Sequence, residues 1–454
     1  MHALDDTIAA IGTPPGQGGI GIVRLSGPEA LPILKQVFHV AGGGGLTPRQ
    51  ITFGRVMDPD TREVLDEALA FYIPAPHTYT RQDVAEIQGH GSPLSLQRIL
   101  NLVLCRGARL AEPGEFTLRA FVNGRLDLAQ AEAVLDLIQA RTEAGHRIAM
   151  GQLGGRLSDA VRRVRRQLLD VLAYLEASID FTHDEVPPQD ILGPLSGILD
   201  EIERLLRNVD QGIIYRQGVR AAIVGRPNVG KSSLLNALLR AERAIVTEIP
   251  GTTRDTLEET INLRGVPLVL IDTAGIAETE DQVERLGIIR SREALHKADL
   301  ALLVVDGSQP LGAEDREIVA LIGNRPAVLV VNKIDLGSPE VHVDELLADA
   351  PHVRVSALSG AGLHALEEIL VDVVLSGRAI SSDRLIVSNP RHKALLTQAA
   401  EHVQAAMNAH ERGLPADFIS IDAMSAATAL GEITGETAGE DLLNAIFSQF
   451  CVGK

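Results

Sequence analysis

The sequence predicts a multidomain chain: an α+β domain over residues 1–118, an α-helical domain in two pieces, 119–216 and 379–454, and an α/β domain over 217–378 inserted between those pieces. Three observations predict it. Residues 1–118 mix short β-like runs with glycine-rich turns. Long runs of helical periodicity lie on either side of 217–378. Between those flanks, Gly225-Arg226-Pro227-Asn228-Val229-Gly230-Lys231-Ser232-Ser233 follows the apolar run Val219–Val224 and precedes a helix-like stretch, Ser233–Arg240. A strand, a glycine loop and a helix in that order open an α/β unit.

In the first domain, Ile20–Leu25 and Ala68–Ile73 read as strands, Pro28–Val40 and Ser95–Cys105 as helices, and the Gly42–Gly45 run as a flexible loop. No catalytic triad or metal-ligand spacing is visible there. His90, between Gly89 and Gly91, could serve as a ligand, but a structural or solvated loop histidine is the plainer reading. From about Arg119 the pattern turns helical, with Leu126, Leu128, Ala131, Val134, Leu135 and Ile138 available to one broad face. Further on, Leu157, Val161, Val164, Leu168, Val171, Leu175 and Ile179 alternate steps of four and three, which predicts a buried coiled-coil-like seam. Arg162, Arg163, Arg165 and Arg166 interrupt it; a solvated helix face is the plainer reading, an RNA-phosphate contact the other. His183-Asp184-Glu185, before Pro187-Pro188, reads as a polar linker, and Pro194–Val209 as a further helix. An insert held at both ends by helical flanks would deliver any change of its shape to both attachment points.

Composition narrows the classes of function. The 454 residues fit about three domains. Hydrophobic residues make up 45% and aromatics only 3%, with no Trp, so the cores must be aliphatic. Cys105 and Cys451 form no disulfide framework, and a reduced cytoplasmic compartment is expected. No signal peptide and no membrane span are evident. A net charge of −18 argues against a surface that binds nucleic acid over its whole extent, though not against a local basic patch.

The chemistry sits in the insert. The form G-x-x-x-x-G-K-S is the phosphate-binding loop (P-loop) of nucleotide hydrolases: backbone N–H groups and a helix N-terminus converge on phosphate oxygens. Lys231 would reach the β/γ-phosphates and the Ser232 hydroxyl would hold Mg²⁺. Leu268–Asp272-Thr273-Ala274-Gly275 reads as a buried strand that ends in an acid, with Asp272 holding Mg²⁺ through water and the Gly275 N–H contacting the γ-phosphate. In the polar loop Gly251-Thr252-Thr253-Arg254-Asp255, Thr253 is the candidate for the second Mg²⁺ hydroxyl, which would make that loop a γ-phosphate-dependent switch. Asn332-Lys333-Ile334-Asp335 supplies base choice. The Asp335 carboxylate only accepts hydrogen bonds, so it pairs with the two donors on the guanine edge, which adenine lacks. Asn332 would brace the loop, Lys333 would cover the base, and Ser356-Ala357-Leu358 would supply an N–H near the guanine oxygen.

These motifs in this order predict a Ras-like GTPase domain. Ile276, however, stands where Ras-like proteins place a water-orienting glutamine, and isoleucine has no hydrogen-bonding group. Catalysis then needs another polar residue, and the nearby acids are Glu278, Glu280, Asp281 and Glu284. No arginine finger is identifiable. The Asn228 amide oxygen, inside the phosphate loop, could hold a monovalent cation that supplies the missing positive charge.

The chain resembles the MnmE (TrmE) family of tRNA-modification GTPases over essentially its whole length. The resemblance is carried by Gly18–Gly27, Gln88–Gly91, Gly114–Phe121, Asn123–Asp127, Gly225–Ser233, Val283–Gly287 and the terminal Phe450-Cys451-Val452-Gly453-Lys454. It implies an N-terminal tetrahydrofolate-binding and dimerisation domain, a helical domain and the inserted GTPase domain. By position, the resemblance places GTP against Asn228 to Ser233, Thr247-Glu248-Ile249-Pro250-Gly251-Thr252-Thr253, Asp272 to Gly275, Asn332, Lys333, Asp335 and Ser356 to Leu358. It assigns K⁺ to Asn228, Thr247, Ile249 and Thr252, and the attacking water to Glu284; Pro250 departs from the small residue of many members.

It further implies a homodimer whose GTPase domains pair face to face, and an FAD-dependent MnmG-type partner. It also implies a 5-formyl- or methylene-tetrahydrofolate carrying one carbon, and tRNA as substrate, with an aminomethyl or carboxymethylaminomethyl group added at the wobble uridine. Cys451 would lie near the folate, against the alternative of an inert terminal cysteine, and Arg24 is a folate-contact candidate. The alternative function is a ribosome-assembly GTPase, which would carry a compact RNA-binding domain or a second GTPase domain. A membrane-remodelling, dynamin-like scaffold would need a basic amphipathic helix, and none is visible.

Overall fold

A computed structural model describes residues 5–181, 187, 189–241, 258–272, 292–337, 346–347, 350–375 and 386–454. By internal packing the chain divides into two compact units: residues 1–135, 152–199 and 398–454 in the first, and residues 136–151 and 200–397 in the second.

The first unit contains a seven-stranded sheet in the order β3-β4-β5-β6-β2-β1-β7. Its strands are β1 (Ile8–Ile11), β2 (Gly18–Ser26), β3 (Phe38–Val40), β4 (Thr52–Met57), β5 (Val64–Ile73), β6 (Val84–Gly91) and β7 (Arg109–Leu110). Period-two alternation sorts the two faces. Val23 and Leu25 of β2, with Ala85 and Ile87 of β6, pack under the helices Ala30–Val37 and Pro93–Cys105. The alternate residues Arg24 and Glu86 stand directly opposite each other across the same two strands.

The expected first helix is shorter than its pattern suggested. It stops at Val37, because Phe38 turns to an extended backbone and Phe38–Val40 pairs antiparallel with β4. His90 is likewise no loop residue: it lies on β6, and its Nδ1 is 2.6 Å from Asp66.

At the β7 edge of this sheet the chain is tied by a partly buried charge network. Arg119 is fully buried. Its guanidinium meets the Asp6 carboxylate, is 2.9 Å from Glu115 and donates to Gln82 at 3.0 Å. Arg109 closes the cluster, 2.6 Å from both Asp6 and Glu115. Burial alone would push both carboxyls up, but the two guanidiniums outweigh it and hold Asp6 and Glu115 below their ordinary values.

The helical part of this unit follows the seam. In the helix Arg156–Asp180, Leu157, Val161, Val164, Leu168, Val171 and Leu175 are buried. They pack against the helix Ala416–Thr434, whose buried residues include Ala423, Ala426, Ala427 and Ala429, small enough for close approach. Ile179, expected in the seam, is 43% exposed, as the seam ends one turn before the helix does. Leu128–Gln139 is helical, with Leu128, Ala131 and Leu135 buried, whereas Ile138 is exposed. Leu126 lies before that helix: its N–H bonds back to Ala120, and the capping role falls to Asp127, which accepts from the Gln130 N–H at 2.9 Å.

Of the four arginines on the long helix, Arg162 pairs with Asp127 at 2.8 Å and Arg165 with Glu436 at 2.6 Å, while Arg163 and Arg166 are exposed. Half of that cluster is therefore engaged in ion pairs, although Arg162 stays exposed. His183, Asp184 and Glu185 lie outside the described residues. The expected helix Pro194–Val209 is Leu192–Leu206, and Val209 instead opens a further helix, Val209–Gln217, with Asn208 at its N-cap.

The second unit is built on a six-stranded sheet, β13-β12-β11-β8-β10-β9, parallel except for β9. The strands are β8 (Val219–Val224), β9 (Glu258–Leu263), β10 (Val266–Asp272), β11 (Leu300–Asp306), β12 (Ala327–Asn332) and β13 (His352–Arg354). The central strands β11 and β12 are buried at every residue, as a parallel sheet covered on both faces requires. Ala221 and Ile223 face one core, under the helices Lys231–Ala241 and Leu363–Leu375; Ala222 and Val224 face the other, under Ala313–Ile322.

Removing Arg119 should leave Glu115 buried and short of a partner. We expect Arg119→Ala to lose about 3–5 kcal/mol in urea unfolding. Because the folded carboxyls are held low, the network's contribution is complete above their ordinary values of 3.8 and 4.5 and drains away as pH falls below them. Acid unfolding should therefore begin at higher pH in the variant if its remaining carboxyls are no longer held low, and an unchanged profile would count against the network.

Candidate nucleotide site

The site forms where the parallel strands end, the place an open α/β sheet offers a ligand. Gly225 leaves β8 at φ 156°, and a Cβ there would lie 2.3 Å from the Val304 carbonyl oxygen of β11. Gly230, at φ 95°, is pressed equally close, its Cβ position being 2.3 Å from the Asn332 side-chain nitrogen. Both glycines are thus required by conformation and by space. Between them Asn228 adopts the left-handed region, φ 61°, which Asn tolerates better than most side chains. The helix Lys231–Ala241 then starts, with Ser232 and Ser233 exposed at its N-terminus. The Lys231 ammonium donates to the carbonyls of Gly225 at 2.8 Å and Arg226 at 2.7 Å.

The base-reading segment is bonded to this loop. The Asn332 amide nitrogen donates to the Val229 carbonyl at 2.9 Å, and its oxygen accepts the Ala357 N–H at 3.0 Å. One buried side chain therefore joins the phosphate loop to Ser356–Leu358. Lys333, itself at φ 65°, sends its ammonium to the Asn228 carbonyl at 2.6 Å and to Asp306 at 2.7 Å. Burial would raise the Asp306 carboxyl, but Lys333 and the Ser308 hydroxyl and N–H hold it low. Asp335 is exposed in the short 3₁₀ turn Ile334–Leu336, free to accept from a base. Ser356 is buried and Leu358 is 89% exposed.

Asn332, expected to brace the loop, makes both of these bonds. Asp306 was missed; its signal was an acid closing a wholly apolar strand. Thr247, Glu248, Ile249, Pro250, Gly251, Thr252, Thr253, Thr273, Ala274, Gly275, Ile276, Glu278, Glu280, Asp281 and Glu284 lie outside the described residues, as does the side chain of Asp272, which ends β10.

In the first unit, Arg24 and Glu86 form a 2.6 Å ion pair, and Arg24 also donates to the Gly453 carbonyl at 3.4 Å. The guanidinium lies 5.9 Å from the Phe116 ring centre. The exposed Cys451 reaches the same region of the fold, since its carbonyl accepts the Gly114 N–H and Pro113 bridges to Val452. Among the described residues no cluster of His, Cys, Asp and Glu could hold a metal, and no helix is long and apolar enough to cross a membrane.

A loop bent by two obligatory glycines, its lysine, and an Asn-Lys-x-Asp segment braced against it define the inserted unit as a P-loop GTPase domain. Residues 7–125 match the family model of the GTP-binding protein TrmE N-terminus, and residues 128–451 that of the MnmE helical domain. The chain is 52% identical over 460 residues to the tRNA modification GTPase MnmE of Roseiflexus sp. (strain RS-1), covering 99% of each. It is 52% identical over 459 residues to that of Chloroflexus aurantiacus and 49% over 460 to that of Alkaliphilus metalliredigens, covering 99% of this chain and all of each relative. The chain belongs to the MnmE family.

Asn332→Ala removes both bonds of the brace and strands the buried Val229 carbonyl. Affinity for GDP and GTP should fall about tenfold or more, as read by fluorescent-nucleotide titration. Unchanged affinity would show that the two loops hold their places independently.

Proposed function

We propose that this protein hydrolyses GTP as part of a tRNA modification complex that places an aminomethyl or carboxymethylaminomethyl group on the wobble uridine. The observation that carries the reading is the 52% identity over 460 residues with a tRNA modification GTPase. The braced guanine and phosphate loops support its GTPase half. No observation favours ribosome assembly.

GTP binds with its phosphates on the loop Gly225–Ser233 and the helix N-terminus behind it, and with its base at Asp335. Mg²⁺ fits the donors present: the Ser232 hydroxyl is exposed at that N-terminus, beside Lys231. Thr253 and Asp272 complete the set in this proposal. Bound Mg²⁺ neutralises charge on the β- and γ-phosphates. Lys231 shares that task, and Asn332 and Lys333 hold the loop so that its N–H groups do not have to reorganise.

K⁺ suits the same loop. The left-handed backbone of Asn228 is held through its carbonyl by Lys333, and its exposed side-chain amide oxygen is the proposed ligand. Thr247, Ile249 and Thr252 are its further proposed ligands, and Glu284 the group that orients the attacking water. Ile276 supplies no polar atom for that purpose. We place a tetrahydrofolate derivative, 5-formyl or methylene, on the N-terminal domain at Arg24. The Arg24–Glu86 pair and the nearby C-terminal segment with Cys451 support that position. The protein acts as a homodimer with an FAD-dependent MnmG-type partner, in the cytoplasm. The division into residues 1–118, 119–216, 217–378 and 379–454 belongs to the same proposal.

Two results test it. Nucleoside analysis of tRNA from cells lacking the protein should show the wobble modification gone, and complementation with Cys451→Ser should leave GTP hydrolysis intact but not restore it. Normal modified-uridine levels without the protein would refute the function, and full restoration by Cys451→Ser would return that thiol to an inert role. Separately, turnover should collapse when Na⁺ replaces K⁺, and Glu284→Ala should bind GTP yet fail to hydrolyse it. Equal rates in both salts would remove the cation, and unaltered turnover would remove Glu284.

A further inference from the structure

The phosphate loop has a second buried anchor that its consensus does not mark. Asp315 lies in the first turn of the helix Ala313–Ile322 and is fully buried. One of its oxygens accepts the Gly312 N–H at 2.8 Å and so caps the helix. The other is 2.9 Å from Nε of Arg226, the second residue of the phosphate loop, whose side chain is only 18% exposed. The guanidinium lies close against the helix start: a Cβ on Gly312 would come within 3.3 Å of its Nη1. Among the described residues, Arg226 Nε and Nη2 and that oxygen of Asp315 make no directed hydrogen bond. The contact is one of charge at close range.

Arg226 faces two ways. Its side chain is held by Asp315, and its carbonyl accepts the Lys231 ammonium at 2.7 Å. The preceding residue, Gly225, is wedged against the Val304 carbonyl of β11. Removing either charge leaves the other, among the described residues, buried without this counterion, a situation that side chains relieve by moving. The Arg226 backbone would move with its side chain, and the alignment of Lys231 with it.

We propose that Asp315 is a positioning residue for nucleotide binding: acting through Arg226, it fixes the entry of the phosphate loop and the carbonyl that aligns Lys231. The proposal rests on the GTP reading of this loop. It gives the helix Ala313–Ile322 a part in nucleotide affinity, although Asp315 itself need not touch the ligand.

A double-mutant cycle read by fluorescent-GDP and GTP titration tests it, with urea unfolding measured alongside. Asp315→Asn keeps an acceptor for the Gly312 N–H and removes the charge. We expect Asp315→Asn and Arg226→Ala each to weaken binding by about tenfold to a hundredfold. The double variant should be no weaker than Arg226→Ala alone, because the two act as one unit. Arg226→Lys, which keeps the charge, should recover most of the loss.

If Asp315→Asn binds as tightly as the parent protein, or if the two losses multiply, Asp315 is a helix cap only and the proposal falls. Should Asp315→Asn fail to fold, the comparison of Arg226→Ala with Arg226→Lys decides: equal affinity in both overturns the proposal, and recovery by lysine alone supports it. A parent protein that binds no guanine nucleotide would instead overturn the GTP reading.

Discussion

The nucleotide site depends on one buried amide. Asn332 donates to the Val229 carbonyl and accepts the Ala357 N–H, so a single side chain ties the loop that takes phosphates to the segment that takes the base. Amide groups are suited to this because one end donates and the other accepts, and the burial that makes each bond costly to lose also keeps water from competing for it. The Cβ that Gly230 lacks is what leaves room for the Asn332 nitrogen to approach. Motif residues far apart in the chain are thereby parts of one packing problem.

Around that tie the loop is gripped from β11 and from the helix Ala313–Ile322. Asp306, at the strand's end, holds Lys333, which holds the Asn228 carbonyl; Asp315, in the helix, holds Arg226. The left-handed backbone at Asn228 is a conformation that persists only when its surroundings impose it. Here the surroundings are two buried carboxylates, each matched to a cation. A loop fixed in this way meets its ligand with N–H groups already oriented, which is how a small number of backbone dipoles can act strongly on a charged phosphate.

What could be read from the sequence depends on how local each cause is. The glycines and Lys231 were legible because loop geometry dictates them within a few residues. The aliphatic seam was legible because helical spacing repeats it, though it ran past its true end: Ile179 keeps the period but is exposed. The partners of Asn332 were not legible, being 103 and 25 residues away. The ion-pair partners of the arginine cluster were hidden for the same reason: Asp127 and Glu436 are brought beside Arg162 and Arg165 only by the fold. Phe38–Val40 continued a helical pattern but became a strand, because β4 offered it a partner. Asp306 closes an apolar strand and Asp315 sits in the charged run Glu314–Glu317, and only the fold shows which cation each one meets.

The central claim is that the phosphate loop and the base-reading segment form one mechanical unit. Native-state hydrogen exchange of the free protein tests it directly, at the Ala357 N–H bonded to Asn332 and at the Leu234 N–H bonded to Gly230 in the loop's helix. A single unit predicts that both amides open with the same free energy and respond together to denaturant. Opening of Ala357 at a distinctly lower free energy, with Leu234 still protected, would contradict it.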